Sequence, residues 1–170
     1  MKYRSTRSEE TVSETYALLH GLASDGGLYV PALFPERCLT YDMVAEKSYE
    51  DIAYTVLKNL FTTFDEAELR SMIASAYSKA NFSTPEIAPL HSILERLSVL
   101  ELFHGRTQAF KDMALSLFPY LLVAAKEAEK LRKQKEKEEK ERRKREAGPS
   151  WIQRKIDSLT KEIFSDDDMK

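Results

Sequence analysis

The 170-residue chain carries 28 acidic and 26 basic residues, a formal net charge of −2, so its overall field commits it neither to nucleic acid nor to an anionic membrane. An apolar content of 42% is enough for a packed core, and a single cysteine, Cys38, excludes an intrachain disulfide and reads as a buried structural thiol in a reducing compartment. With no apolar core in MKYRSTRSEE and no apolar run of about 18 residues, the sequence predicts a cytoplasmic protein without a membrane span.

In chain order, KYRST alternates as a short strand. Ser8 before Glu9 and Glu10 has the form of a helix start with acids in the first turn. Val12, Tyr16 and Leu19 follow at helical spacing, and Gly21 is a stop. Asp25-Gly26-Gly27 predicts a tight turn, because two glycines accept positive φ, and LYV beyond it reads as a strand ended by Pro31. From Tyr49 to Phe61 the residues Ile52, Val56, Leu57, Leu60 and Phe61 mark one helix face. Asp65 with Glu68 has capping-box spacing and opens a helix with Leu69, Met72, Ile73, Ala76 and Tyr77 on its inner side.

NFSTPEIAPL, with two prolines, is a loop. LSVLEL, Leu97 to Leu102, is short, apolar and followed shortly by Gly105, the pattern of a buried strand. A helix is expected from Thr107–Phe110 onward, presenting Phe110, Met113, Ala114, Leu117, Leu121 and Ala124, with Pro119 either kinking it or marking the first turn of a new helix. Lys126 to Glu146 is almost entirely Lys, Arg and Glu. It lacks the apolar a and d positions of a coiled coil, and its i,i+4 pairs favour a solvated helix. Its end, RRKR, is locally basic, but interleaved Glu and the absence of aromatics argue against a nucleic-acid arm. AGPS then breaks the helix. Ser150 is a possible cap for an amphipathic segment with Trp151, Ile152, Ile156, Leu159, Ile163 and Phe164 on one face, and SDDDMK is an acidic tail expected to be disordered.

Two blocks carry a family resemblance: MKYRSTR with GLASDGGLYVP, and VLELFHGRTQAFKDMALSL. Together they resemble threonine synthase, an enzyme dependent on pyridoxal phosphate (PLP), over about residues 1–125. The resemblance implies an α+β, mostly helical fold. A threonine-synthase-like N-terminal domain with a small sheet would occupy 1–95. The truncated start of a PLP-binding α/β domain would follow in 96–125, then the charged helix at 126–147 and an amphipathic helix with an acidic tail at 148–170. It implies that Lys111, in Phe-Lys-Asp, is the lysine that holds PLP and moves protons while O-phosphohomoserine and water become threonine and phosphate. Arg106 stands where the family usually has Pro, Gln108 where it has Leu, and Ser8 where Gly is common.

PLP also needs its phosphate held, usually by backbone N–H groups of a glycine-rich turn. After Lys111 the sequence has one glycine, Gly148, so most of the catalytic α/β domain is not within these 170 residues. Lys111 thus has three readings: an exposed lysine with no role, a PLP lysine without its pocket, or a working Schiff base. His104 is expected to be structural, and His20 and His91 have no ligand-spaced partners, so no metal is expected. The sequence reads as the N-terminal portion of a threonine synthase, inactive alone. The alternative is a non-enzymatic helical protein that binds a protein partner through 126–170.

Overall fold

A computed structural model of the chain describes residues 1–34, 39–146 and 150–163. Cys38, the glycine-proline break before Ser150 and the acidic C-terminal tail lie outside the described residues. Two compact units are present, Met1–Glu129 and Lys130–Lys170.

The first unit opens with a three-stranded antiparallel sheet: β1 (Lys2–Ser5), β2 (Thr11–Ser13) and β3 (Tyr29–Pro31), in the order β2-β1-β3. Alternation sets its faces. Tyr3 and Ser5 point inward, Lys2 and Arg4 outward. The helix expected from Ser8 starts later. Thr11–Ser13 pairs with Arg4–Lys2 instead, and the helix α1 (Glu14–His20) begins after Ser13, whose Oγ accepts from the Tyr16 N–H at 3.2 Å. A three-residue strand is too short to display a period, and two acids after a serine mimic a helix start. Gly21 ends α1 with φ 69°, a positive φ that a residue without a Cβ accepts most readily. Asp25 closes the following turn, accepting from Gly27 N at 2.8 Å and from Ser5 Oγ at 2.8 Å, and Leu22 bridges Leu28 across it. The tight hairpin predicted at Asp25-Gly26-Gly27 is therefore present.

A one-turn helix, α2 (Tyr41–Val44), precedes α3 (Tyr49–Leu60) and α4 (Glu66–Ala76). Ser48 caps α3 and Asp65 caps α4, accepting from Glu68 N at 2.8 Å. The predicted inner face of α4 is the centre of the core: Leu69, Ile73 and Ala76 are at most 1% exposed. Phe64, Phe82, Ile87, Leu117 and Leu121 pack in the same cluster. Burying each such side chain contributes about 1.5–3 kcal/mol. Arg70 bridges α4 to α3, pairing with Asp51 at 3.2 Å and lying over the Tyr54 ring at 3.9 Å.

Beyond the proline loop the strand expected at Leu97 forms, as β5 (Leu97–Leu100), but it is not buried. It pairs with β4 (Leu90–Leu94) in a two-stranded hairpin in which every strand position is exposed. Next comes α5 (Asp112–Leu115), a single turn, and then α6 (Phe118–Glu146), with Pro119 in its first turn, where a missing N–H costs nothing. Phe110, expected on the inner face, is 66% exposed, because the chain before Asp112 is a turn rather than a helix. Leu117, Leu121, Ala124 and Ala125 do enter the core.

In the second unit the charged part of α6 is solvated as expected and stapled by i,i+4 pairs such as Arg132–Glu136 at 3.0 Å and Arg143–Glu139 at 2.6 Å. The amphipathic helix α7 (Ser150–Ile163) leaves Trp151, Ile152, Ile156 and Leu159 exposed.

Candidate functional site

Lys111 sits where a loop turns into α5. Its backbone is helical, φ −63° and ψ −22°, and its carbonyl accepts from Leu115 N at 2.8 Å. The loop before it is held by Asp112. One carboxylate oxygen accepts from Thr107 N at 2.7 Å and the other from Thr107 Oγ1 at 2.7 Å. The Thr107 hydroxyl, reinforced by the backbone N–H groups of the loop, keeps the Asp112 carboxyl below the usual carboxylate range against the opposing effect of burial.

Asp112 in turn dictates Gly105. A Cβ at Gly105 would lie 2.3 Å from the Asp112 Cβ and 2.4 Å from its Oδ2. Gln108, at the apex of the loop, is in the left-handed region with φ 57°, which few residues other than glycine adopt. Gly105, Thr107 and Asp112 are thus one device that fixes the backbone of Lys111. The Phe-Lys-Asp motif points to Asp112, but the Gly105–Asp112 approach is tertiary and has no signature in spacing alone.

His104 stands at the other end of this loop. Its Nε2 is 2.6 Å from Glu101 Oε2 and its Nδ1 3.2 Å from Ser83 Oγ, while Ser83 N donates to the His104 carbonyl at 3.0 Å. The ring ties the loop at Ser83 to the end of the hairpin, the structural role expected of it. His91 is 3.6 Å from the same Glu101 oxygen. Among the described residues no group of His, Cys, Asp and Glu could hold a metal ion.

The Lys111 side chain opens onto a groove of about 570 Å³ walled by Tyr49, Ala88, Leu100, Leu102, Phe110, Met113 and Leu115. A second apolar groove of about 740 Å³ adjoins it between α3 and α5–α6, sharing Tyr49, Met113, Ala114 and Leu115. Tyr77 lines the second groove. Its hydroxyl donates to the Met113 carbonyl at 2.8 Å, and burial pushes its pKa upward, helped by the neighbouring Tyr49. Among the described residues that line the first groove, Lys111 is the one that carries a charge.

These residues fit PLP in part only. They offer an amine and apolar walls for a ring. Among the described residues no glycine-rich turn at a helix start faces the groove to hold a phosphate: α5 is one turn long, and its first residue is Asp112, an acid where donors are needed. No chemical step through the cofactor follows from this geometry.

Comparison with known proteins places the same residues in context. The family described as "Threonine synthase N terminus" matches residues 2–77. Threonine synthase of Eremothecium gossypii is 42% identical over 135 residues, covering 71% of this chain and 26% of that protein. Human "Threonine synthase-like 1" is 38% identical over 120 residues, 66% of this chain and 16% of that protein. The crystal structure of PLP-bound threonine synthase from Brucella melitensis superposes with a TM-score of 0.67 at 37% identity, covering 74% of this chain and 27% of that one. The yeast enzyme gives 0.63 at 34% identity, covering 71% and 25%. The chain spans about a quarter of the length of the threonine synthases that it matches.

Proposed function

We propose, from the premise that residues 2–77 belong to the threonine synthase N-terminal family, that this chain supplies the lysine-bearing N-terminal portion of a threonine synthase. The reaction would be conversion of O-phosphohomoserine to threonine and phosphate, with Lys111 as the PLP lysine. We propose equally that residues 1–170 alone neither seat PLP nor turn over substrate. One observation carries this reading. The groove beside Lys111 provides a lysine set by the Gly105–Thr107–Asp112 loop, yet among the described residues no second cation and no glycine-rich turn lines it to hold a phosphate. Lys111 is also exposed, so the groove does not shield its amine from water.

Mixing the pure chain with PLP tests this directly. The expected spectrum is that of free PLP, and phosphate release from O-phosphohomoserine should not exceed the blank. A visible band lost in Lys111→Ala and kept when other lysines are replaced would overturn the inactivity.

A second reading, binding of a protein partner through 126–170, is favoured by the exposed Trp151, Ile152, Ile156 and Leu159 on α7. Deleting residues 126–170 should then abolish capture of that partner. Unchanged capture would remove the reading. In either case the protein is proposed to work in the cytoplasm. No helix of the described residues is long and apolar enough to cross a membrane.

A further inference from the structure

We propose that α7 (Ser150–Ile163) pairs, antiparallel, with α7 of a second copy of this chain through its apolar stripe. The proposal rests on the reading that 126–170 binds a protein partner, and it names that partner as the same chain.

A helix of 14 residues is marginal in water unless an apolar face is packed. Ile152, Ile156 and Leu159 recur four and three residues apart, which sets them in one narrow stripe, and Ile163 continues the spacing in the sequence. A stripe this narrow is the seam of a helix pair, not the wider face of a helix laid on a globular core. Trp151 stands beside it, and Trp151, Ile152, Ile156 and Leu159 are all exposed. The polar side is bonded within the helix: Gln153 Nε2 donates to Asp157 Oδ1 at 3.1 Å, and Thr160 Oγ1 donates to the Ile156 carbonyl at 2.8 Å.

Charge selects the occupant. Residues 150–158 carry Arg154 and Lys155 against Asp157, a net +1, while residues 159–170 carry Glu162, Asp166, Asp167 and Asp168 against Lys161 and Lys170, a net −2. Two parallel copies would set like ends side by side. Two antiparallel copies set each basic start beside the other's acidic end and oppose their helix dipoles. The segment is thus complementary to itself, and a two-fold pair closes without leaving an open face. An anionic membrane would attract the first half and repel the second. A helix about 21 Å long makes a small interface, so the pair is weak, with a dissociation constant on the order of 10 μM or above.

The test is sedimentation equilibrium of the full chain from about 1 μM to about 1 mM. The expected result is a monomer–dimer equilibrium, weakened about tenfold or more by Ile156→Lys and about two- to fivefold by Lys155→Glu, with the melting temperature of the parent kept in both. Orientation is read by oxidising a mixture of two Cys38→Ser chains, one with Ile156→Cys and one with Leu159→Cys. The antiparallel register that centres the stripe joins the two variants to each other, whereas a parallel pair joins each to itself and overturns the proposed orientation. A dimer undiminished by Ile156→Lys overturns α7 as the surface. A monomer at every concentration overturns the second copy. If that monomer still captures a different protein through 126–170, the partner reading stands and only its identity falls. If it instead binds vesicles of phosphatidylcholine and phosphatidylserine through α7, the stripe belongs to a lipid surface and both fall.

Discussion

Glu14 and Lys111 are both charged residues next to a helix start, and their surroundings are opposite. Glu14 is 1% exposed, and its carboxylate collects the Met1 amino group at 2.9 Å, Thr62 N at 3.0 Å, Thr62 Oγ1 at 2.9 Å and Thr63 N at 2.6 Å. Lys111 is exposed, and its side chain faces carbon. The contrast teaches where this chain is self-sufficient. The sheet, α1 and the α3–α4 junction bring their own partners to a buried charge, whereas the Lys111 loop spends its donors on Asp112 and leaves the Lys111 side chain in solvent. A buried charge is tolerable only when its donors are present, so the first region folds as a finished interior and the second is a surface.

The largest expected effect comes from breaking the finished half. Glu14→Ala strands the Thr62 and Thr63 donors and the buried end of the Met1 amine, and should cost about 3–5 kcal/mol in urea unfolding. Ile73→Ala, at the centre of α4, should cost about 2–4 kcal/mol by the same measurement, through lost transfer energy and a cavity. By contrast, Ile93→Ala on the exposed hairpin should stay within about 0.5 kcal/mol of the parent. If Ile93→Ala matched Ile73→Ala, the hairpin would have to be part of the interior.

Acid should act on both halves in the same direction. Burial alone would raise the Glu14 pKa, but the hydrogen bonds from the Met1 amine, Thr63 and Thr62 outweigh it and hold it low. Asp112 is lowered chiefly by the Thr107 hydroxyl, and Asp25 by the hydroxyl of Ser8 and then by Gly27 N–H and the Ser5 hydroxyl. A depressed carboxylate pKa contributes stability that is fully present above the unfolded value, near pH 4, and that is lost as the pH falls through the lower folded value. The melting temperature should therefore hold from neutrality down to about pH 5 and decline below about pH 4. In Glu14→Gln the decline should be shallower.

A smaller effect sharpens the account of the lysine loop. Gly105→Ala must push Asp112 off Thr107, at a cost of about 1–3 kcal/mol, and amide exchange at Thr107 should speed up while exchange at Leu69 and Ile73 keeps its order. Equal loss of protection at Ile73 would mean that the loop is not a separate device.

What could be read in advance follows from how local each cause is. The helices α3 and α4 were legible because a 3.6-residue period, and for α4 the capping Asp65, are written within a dozen residues. So was the turn at Asp25, where the side chain bonds two residues on. β2 was not, because three residues hold no period and Ser8-Glu9-Glu10 satisfies the rule for a helix start. The strand at Leu97 was legible as a strand but not as an exposed one: an apolar run records what a segment can bury, not whether anything in the same chain covers it. At the site, Lys111 came from resemblance to a motif. The contacts that set its backbone depend on Gly105 and Asp112 meeting across a loop, and Glu14's role depends on Thr62 and Thr63, nearly fifty residues away.

The central proposal, that Lys111 without a phosphate holder is not a PLP site, is tested most directly by trapping. The pure chain is incubated with PLP over a range of concentrations, reduced with borohydride and peptide-mapped. The account predicts that Lys111 is labelled no more than other exposed lysines such as Lys58 and Lys79, without saturation. Saturable labelling concentrated on Lys111 would contradict it.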